Sequence, residues 1–273
     1  MKNEQNSVVV VIFSKNRALQ LDLCLTGLYK SCTDEELPEI KIIYTCDELH
    51  EKSYKILEFE HPYPEFIREN DFKADLLLAL KHKRYVLFLT DDTIFCGNFS
   101  FDRVIRHLDD SYKVLGVSLR LGKNTHRCYP LDMNQPIPIM QYLEENFMYF
   151  NWTKAELDFN YALEVSSSIY RVRDILPIIS SYPFKNPNSL EALLYACLGY
   201  FTDKLFLICF DRSIAFANPL NRVQEVALSN RYSQLDNHDA ESLLNAYMEG
   251  YRADYSKYFG MISNGCHMEV DIL

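Results

Sequence analysis

The segment YVLFLTDDTIF, residues 85 to 95, sets the fold. Tyr85 to Leu89 are bulky and apolar, as in a strand buried on both faces, and the run stops on two adjacent acids, Asp91 and Asp92. Carboxylates at the end of a buried strand need a partner. That partner is a cation, a ligand or a helix N-terminus, and the remainder of the chain has to decide among them.

Upstream, strand and helix alternate. SVVVVIF (7–13) is a strand, and KNRALQLDLCLTGLYKSC (15–32) places Ala18, Leu21, Leu25 and Leu28 on one helical face, with Ser14 or Asn16 available as cap. EIKIIYTC (39–46) is a second strand, ending at Asp47; EFIRENDFKADLLLALKHK (65–83) reads as helical. Beyond the acids come a helix, FDRVIRHLDD (101–110), and a strand, KVLGVSLRL (113–121). Such alternation predicts an α/β fold with a mainly parallel sheet, in which ligands collect at the carboxyl ends of strands. Ser14, Asp47, Asp91 and Asp92 all fall at those ends.

After Gly122 the pattern loosens. Residues 123–162, rich in Pro, Tyr, Phe and Asn, read as an irregular segment over the strand ends. Order returns with a strand LEVSSSIYR (163–171), helices near 173–181 and 188–199, the apolar run KLFLICF (204–210), a helix in DAESLLNAYMEGY (239–251) and a short terminal strand, HMEVDIL (267–273). There is no repeat and no flexible linker. The expectation is a single domain over 1–273, with halves divided near residue 122.

Composition narrows the function. Of 273 residues 48% are hydrophobic, enough for a sizeable core, and the net charge of -10 argues against nucleic acid or an anionic membrane as main partner. The six-residue apolar stretch before Ser14 is too short for a signal peptide, and no segment approaches the roughly 20 apolar residues of a membrane span. The eight cysteines contain no CxxC and lie mostly in apolar runs, as reduced thiols do. A cytoplasmic protein is expected. With only eight glycines, no two of them two residues apart, the chain has neither GxGxxG nor a Walker loop to cradle phosphates. A nucleotide diphosphate bound to this sheet would need its charge met by a metal, and hard divalent cations take carboxylate oxygens. On the residues alone, a role for Asp91 and Asp92 as caps of the following turn stays open.

The succession VVVVIFSKNRALQLDLCLTGL (8–28), IKIIYTCDE (40–48) and FKADLLLALKHKRYVLFLTDD (72–92) resembles the nucleotide-binding half of family 2 glycosyltransferases of the GT-A fold. The resemblance covers the first third of the chain well and the rest loosely. It implies a mainly parallel mixed sheet flanked by helices, with residues 1–122 binding the nucleotide sugar and 123–273 the acceptor. By the same resemblance Asp47 contacts the nucleobase, Asp91 the ribose and Asp92 a Mn2+ or Mg2+ ion on the diphosphate, with Ser14 and Arg17 near the nucleoside. Thr90 stands where the family has the first acid of Asp-x-Asp, which removes one carboxylate from the metal site.

A late histidine, His267 in NGCHMEV, is the family-like third ligand, with a surface-turn histidine as the other reading and His126 as a lesser candidate. NPNSLEALLYACL (186–198) occupies the place of the family's Glu-Asp helix start: Glu191 matches the Glu, and Ala192 replaces the Asp. Glu191 is thus the candidate base for an acceptor hydroxyl, or alternatively part of a cap with Asn188 or Ser189; Glu164 and Asp158 stand in reserve. Arg222, beside Asn218, Asn221 and Gln224 in ANPLNRVQE, is a candidate counter-charge for diphosphate, and a solvated loop is the alternative. Tyr129, Tyr149, Phe150 and Trp152 offer flat faces for sugars, although most aromatics in a chain with 19 Tyr and 17 Phe belong to the core.

The expected activity is therefore metal-dependent transfer of a sugar from a UDP- or GDP-sugar to a glycan or other hydroxyl acceptor, inverting and non-processive, since the QxxRW motif is absent. A non-catalytic sugar-nucleotide or glycan-binding module of the same fold is the alternative.

Overall fold

The computed structural model describes residues 7–223, 231–233 and 235–273; Gln224 lies outside them. The chain opens with β1 (Val8–Lys15), α1 (Ala18–Ser31), β2 (Glu39–Thr45), α2 (Glu51–Glu60), β3 (Glu65–Arg68), α3 (Phe72–Ala79) and β4 (Tyr85–Thr90). There follow β5 (Thr93–Phe95), α4 (Phe101–Asp110), β6 (Val114–Ser118), two short strands β7 (Arg127–Cys128) and β8 (Met133–Asn134), and the hairpin β9 (Met140–Glu144) and β10 (Phe147–Asn151). Last come β11 (Ser167–Arg171), α5 (Val172–Ser181), α6 (Pro187–Ala196), β12 (Phe206–Phe210), β13 (Ala215–Ala217) and α7 (Ala240–Met248).

Nine strands form one sheet in the order β3-β2-β1-β4-β11-β6-β12-β10-β9. β1 to β4 run parallel and β12 runs parallel to β6, while β11 lies antiparallel between β4 and β6. That antiparallel strand places its amino end beside the carboxyl ends of β4 and β6. Residues before β11 thus meet residues after β1, β4 and β6 on one edge of the sheet.

Alternation along β1 sorts the core. Val8, Val10 and Ile12 pack with α1, α2, α4 and α7 on one face; Val9, Val11 and Phe13 pack with α3, α5 and α6 on the other. This is the mixed α/β sheet with helices on both faces that the strand-helix alternation predicted. Among the described residues no helix is long and apolar enough to cross a membrane.

Three local expectations are corrected. Residues 65–68 are a strand, because the edge of β2 offers Glu65–Arg68 a parallel partner, and the helix starts only where the Asp71 side chain caps the Ala74 N–H. Within 123–162 the Pro-rich part gives way to the β9–β10 hairpin, which extends the sheet through β12. Residues 267–273 form no strand; His267 makes a single bridge to Ala217.

Candidate active site

The acids after β4 find their partner in Arg17. Asp91 is 3% exposed; its Oδ1 accepts from Arg17 Nη1 (3.0 Å), and its Oδ2 from Ser14 Oγ (2.9 Å) and the Lys15 N–H (3.0 Å). Asp92 Oδ2 takes the other hydrogen bond from Nη1 (3.1 Å), and its Oδ1 accepts from Thr90 Oγ1 (2.7 Å). Thr90, standing in for an acid, thus orients the acid two residues on. Burial, opposed by Arg17 and reinforced by Asp92, pushes the Asp91 carboxyl up to about 6.

Arg17 is itself tied to the late part of the chain. Its Nε donates to Asn221 Oδ1 (2.8 Å), and its Nη2 donates to the Asn221 carbonyl. Ser14 Oγ also meets the Tyr54 hydroxyl (2.6 Å), and Tyr54 stacks on Tyr44 at 4.5 Å. Asn16 makes the tight turn possible, since it sits at φ 53 between β1 and α1, a region Asn tolerates.

Ser14, Arg17, Asp91, Asp92, Glu191, Arg222 and His267 all line one cavity of about 960 Å3 at this edge of the sheet. Asp47 does not. It caps the chain entering α2, accepting from the His50 N–H (3.0 Å) and from Asn16 Nδ2 (2.8 Å), and Thr45 lines the cavity from that strand end instead.

Glu191 owes its place to α6, which begins at Pro187 and is capped by Asn186 and Ser189 in a reciprocal pair of hydrogen bonds. The cap therefore leaves Glu191 free for another partner: its Oε1 accepts from the Val165 N–H (3.2 Å), just before β11. Burial raises its carboxyl above the ordinary value, while Arg120 pulls it down. Glu164 accepts from Ser166 Oγ (2.6 Å), the Ser167 N–H (3.1 Å) and the Ser168 hydroxyl and stands behind the cavity wall, whereas Asp158 accepts from Gln135 Nε2 (3.1 Å) and lines the cavity.

His267 reaches the acids through strand register. Thr93 pairs with Ala217, and Ala217 with His267, so the imidazole stands two strands from the acid pair. Its Nδ1 is buried and has no hydrogen-bond partner among the described residues, and burial lowers its pKa. His126 is exposed and outside the cavity wall. Of the aromatic candidates, Tyr129 lines the cavity, whereas Phe150 and Trp152 are core and Tyr149 packs on Phe206.

The chain is similar to a glycosyltransferase. It is 28% identical over 217 residues to the bifunctional glycosyltransferase pgtA of Dictyostelium discoideum, a match covering 70% of this chain and 28% of that protein. The chain thus spans little more than a quarter of the relative's length, and the match agrees with the resemblance carried by the strand-end motifs. No protein-family model matches. Among solved structures, S. aureus TarS aligns with TM-score 0.49 and 14% identity, over 77% of this chain and 36% of that one. The mannosyltransferase PcManGT from Pyrobaculum calidifontis, in complex with GDP-Man and Mn2+, aligns with TM-score 0.41 and 13% identity, over 71% and 52%. Likeness at this level reaches no individual residue.

Among the cavity residues that the sequence did not single out are Arg120, Tyr161 and Tyr195. Arg120 comes two residues after the end of β6, so the strand-end logic that found Asp91 also applies to it; its Nη1 donates to Ser166 Oγ (2.9 Å) and its Nε lies 3.6 Å from Glu164. Tyr195 is four residues from Glu191 on α6, a spacing that puts the two on one face.

Proposed function

We propose that the chain is a GT-A-type glycosyltransferase that moves a sugar from a UDP- or GDP-sugar to a hydroxyl acceptor with inversion, one sugar per encounter. The observation that carries this is the convergence, in one cavity, of a strand-end acid pair and a helix-borne carboxylate a hundred residues away in sequence. Residues 1–122 would bind the donor, with Asp91 and Ser14 at the ribose, Arg17 behind them and Arg222 near the diphosphate. Residues 123–273 would hold the acceptor. In the transfer step the acceptor oxygen attacks the anomeric carbon, Glu191 takes the hydroxyl proton, and the nucleotide diphosphate leaves with the electrons of the broken bond.

The residues present fit a divalent cation in one respect: His267, with an unpartnered buried nitrogen, lines the same cavity as Asp92. Among the described residues no group of three or more acid, histidine or cysteine side chains converges on one point. Asp92 and His267 would therefore hold Mn2+ or Mg2+ only together with phosphate oxygens of the donor. A bound cation would stabilise charge on the leaving diphosphate. The eight free cysteines support a cytoplasmic setting.

The competing reading, a binding module, draws on Asp92, both of whose oxygens already have partners. Hydrolysis of a panel of UDP- and GDP-sugars in Mn2+ separates the two. An enzyme releases nucleotide diphosphate from at least one donor, and release from none sinks the catalytic reading.

A further inference from the structure

The wall that carries Glu191 also carries an aromatic surface. Glu191 and Tyr195 project from one face of α6 with Cβ atoms roughly 5–6 Å apart, and both line the cavity. Tyr195 is 48% exposed. Its ring lies against Tyr161, centroids 4.9 Å apart at 29°, and Tyr161 lines the same wall. The stack stiffens a half-exposed ring that a lone surface tyrosine would leave swinging. Separated by one helical turn, an aromatic face and a carboxylate match a sugar ring and one of its own hydroxyls.

Charge narrows the occupant. Glu191, Glu164 and Asp158 line or back this wall, against Arg120 and the exposed Lys185. Glu164 already draws on Arg120, so an anion placed beside Glu191 would face its carboxylate with little of that counter-charge to spare.

We propose that Tyr195, backed by Tyr161, is the platform of the acceptor subsite and takes the apolar face of an uncharged sugar ring, one of whose hydroxyls thereby reaches Glu191. This rests on the glycosyltransferase reading of the cavity. Aromatic stacking adds about 0.5–1.5 kcal/mol beyond area burial, which makes loss of the platform worth up to roughly tenfold in affinity.

Saturation-transfer NMR tests this without turnover. The probes are the methyl pyranosides of glucose, galactose, mannose, fucose and N-acetylglucosamine, the methyl glycoside of glucuronic acid, and UDP and GDP. At least one neutral glycoside should bind, more strongly than the uronide, with its transfer concentrated on the protons of one ring face. Its dissociation constant should rise roughly tenfold in Tyr195→Ala and little in Tyr195→Phe, with the melting midpoint as fold control. Equal binding by the Ala variant and the parent overturns the proposal, as does preference for the uronide. Binding of UDP or GDP without any neutral glycoside overturns it while sparing the transferase reading. Binding of a Tyr195-dependent glycoside without either nucleotide supports the platform and counts against the donor site.

Discussion

Replacing Glu191 by Gln tests the chemistry with the smallest structural disturbance. The Gln side chain keeps an acceptor oxygen for the Val165 N–H, and the cap of α6 belongs to Asn186 and Ser189, so helix and loop should stay in place. What is lost is the ability to take a proton. General bases contribute about 10²–10⁴ to rate, so turnover should fall at least ~100-fold, or ~2.7 kcal/mol of barrier, with donor affinity unchanged. Two further readouts follow from the raised carboxyl of Glu191. The parent's rate should fall on acidification at a pH above the ordinary Glu value, because the base must be ionised, and that limb should vanish in the variant. Stability should move the other way. A carboxyl raised in the folded state contributes stability below its unfolded pKa and loses it as pH rises through the folded one, so the parent should weaken relative to the Gln variant as pH climbs. Kinetics on a hydrolysed donor, proton NMR of the product's anomeric signal and urea melts across pH supply the three measurements. Near-normal turnover, or a product that retains the donor's configuration, would refute the assignment of Glu191 as base.

Asp92→Ala should remove the mutual enhancement between Mn2+ and UDP or GDP seen by calorimetry; an unchanged enhancement takes Asp92 out of the metal site. In the parent, Mn2+ alone should bind far more weakly than Mn2+ with nucleotide, since Asp92 and His267 are the two protein ligands proposed among the described residues. His267→Ala should weaken the dependence of donor affinity on Mn2+ with little change in melting midpoint, and identical Mn2+ titrations of variant and parent would mark the histidine as a turn residue. Gly116→Ala should destabilise the fold by about 1–3 kcal/mol in urea, because its new Cβ would lie 2.6 Å from the Tyr170 ring between β6 and β11; a silent substitution would show that the sheet has slack there.

Legibility in the sequence followed locality. The acid pair was readable because five apolar residues lead up to it, and α6 was read to start near 188, one residue after the Pro187 at which it begins behind its Asn186 cap. What escaped depends on topology. β11 runs antiparallel between β4 and β6, and that placement brings Val165, with its N–H to Glu191, to the acids' edge of the sheet. No period in the sequence encodes which strands are neighbours. β3 was missed for a related reason: four residues beside a helical run carry too little pattern to declare a strand before β2 is there to pair with it. Asp47, placed by resemblance at the nucleobase, lies off the cavity wall and accepts from the His50 N–H in the local turn, as Asp after a strand commonly does.

Arg17 answers the question raised by two acids at a strand end, and its geometry limits what it can do for a donor. Nη1 spends its hydrogens on Asp91 and Asp92, and Nε and Nη2 are committed to Asn221. Its charge therefore holds the acids in place and ties the strand-end side of the cavity to Asn221, leaving little for phosphate. Counter-charge for a bound diphosphate must come from elsewhere on the wall, where Lys15 and Arg222 stand, or from a cation at Asp92 and His267. Arg17→Met should thus act first on stability, by about 3–5 kcal/mol if the abandoned acids stay ionised. The loss should shrink on moving from pH 7 toward pH 5, because the burial that already lifts Asp91 to about 6 then favours uptake of a proton. Urea midpoints of parent and variant at the two pH values decide it, and a loss that is equal at both would mean that Arg17 is not the group neutralising the pair.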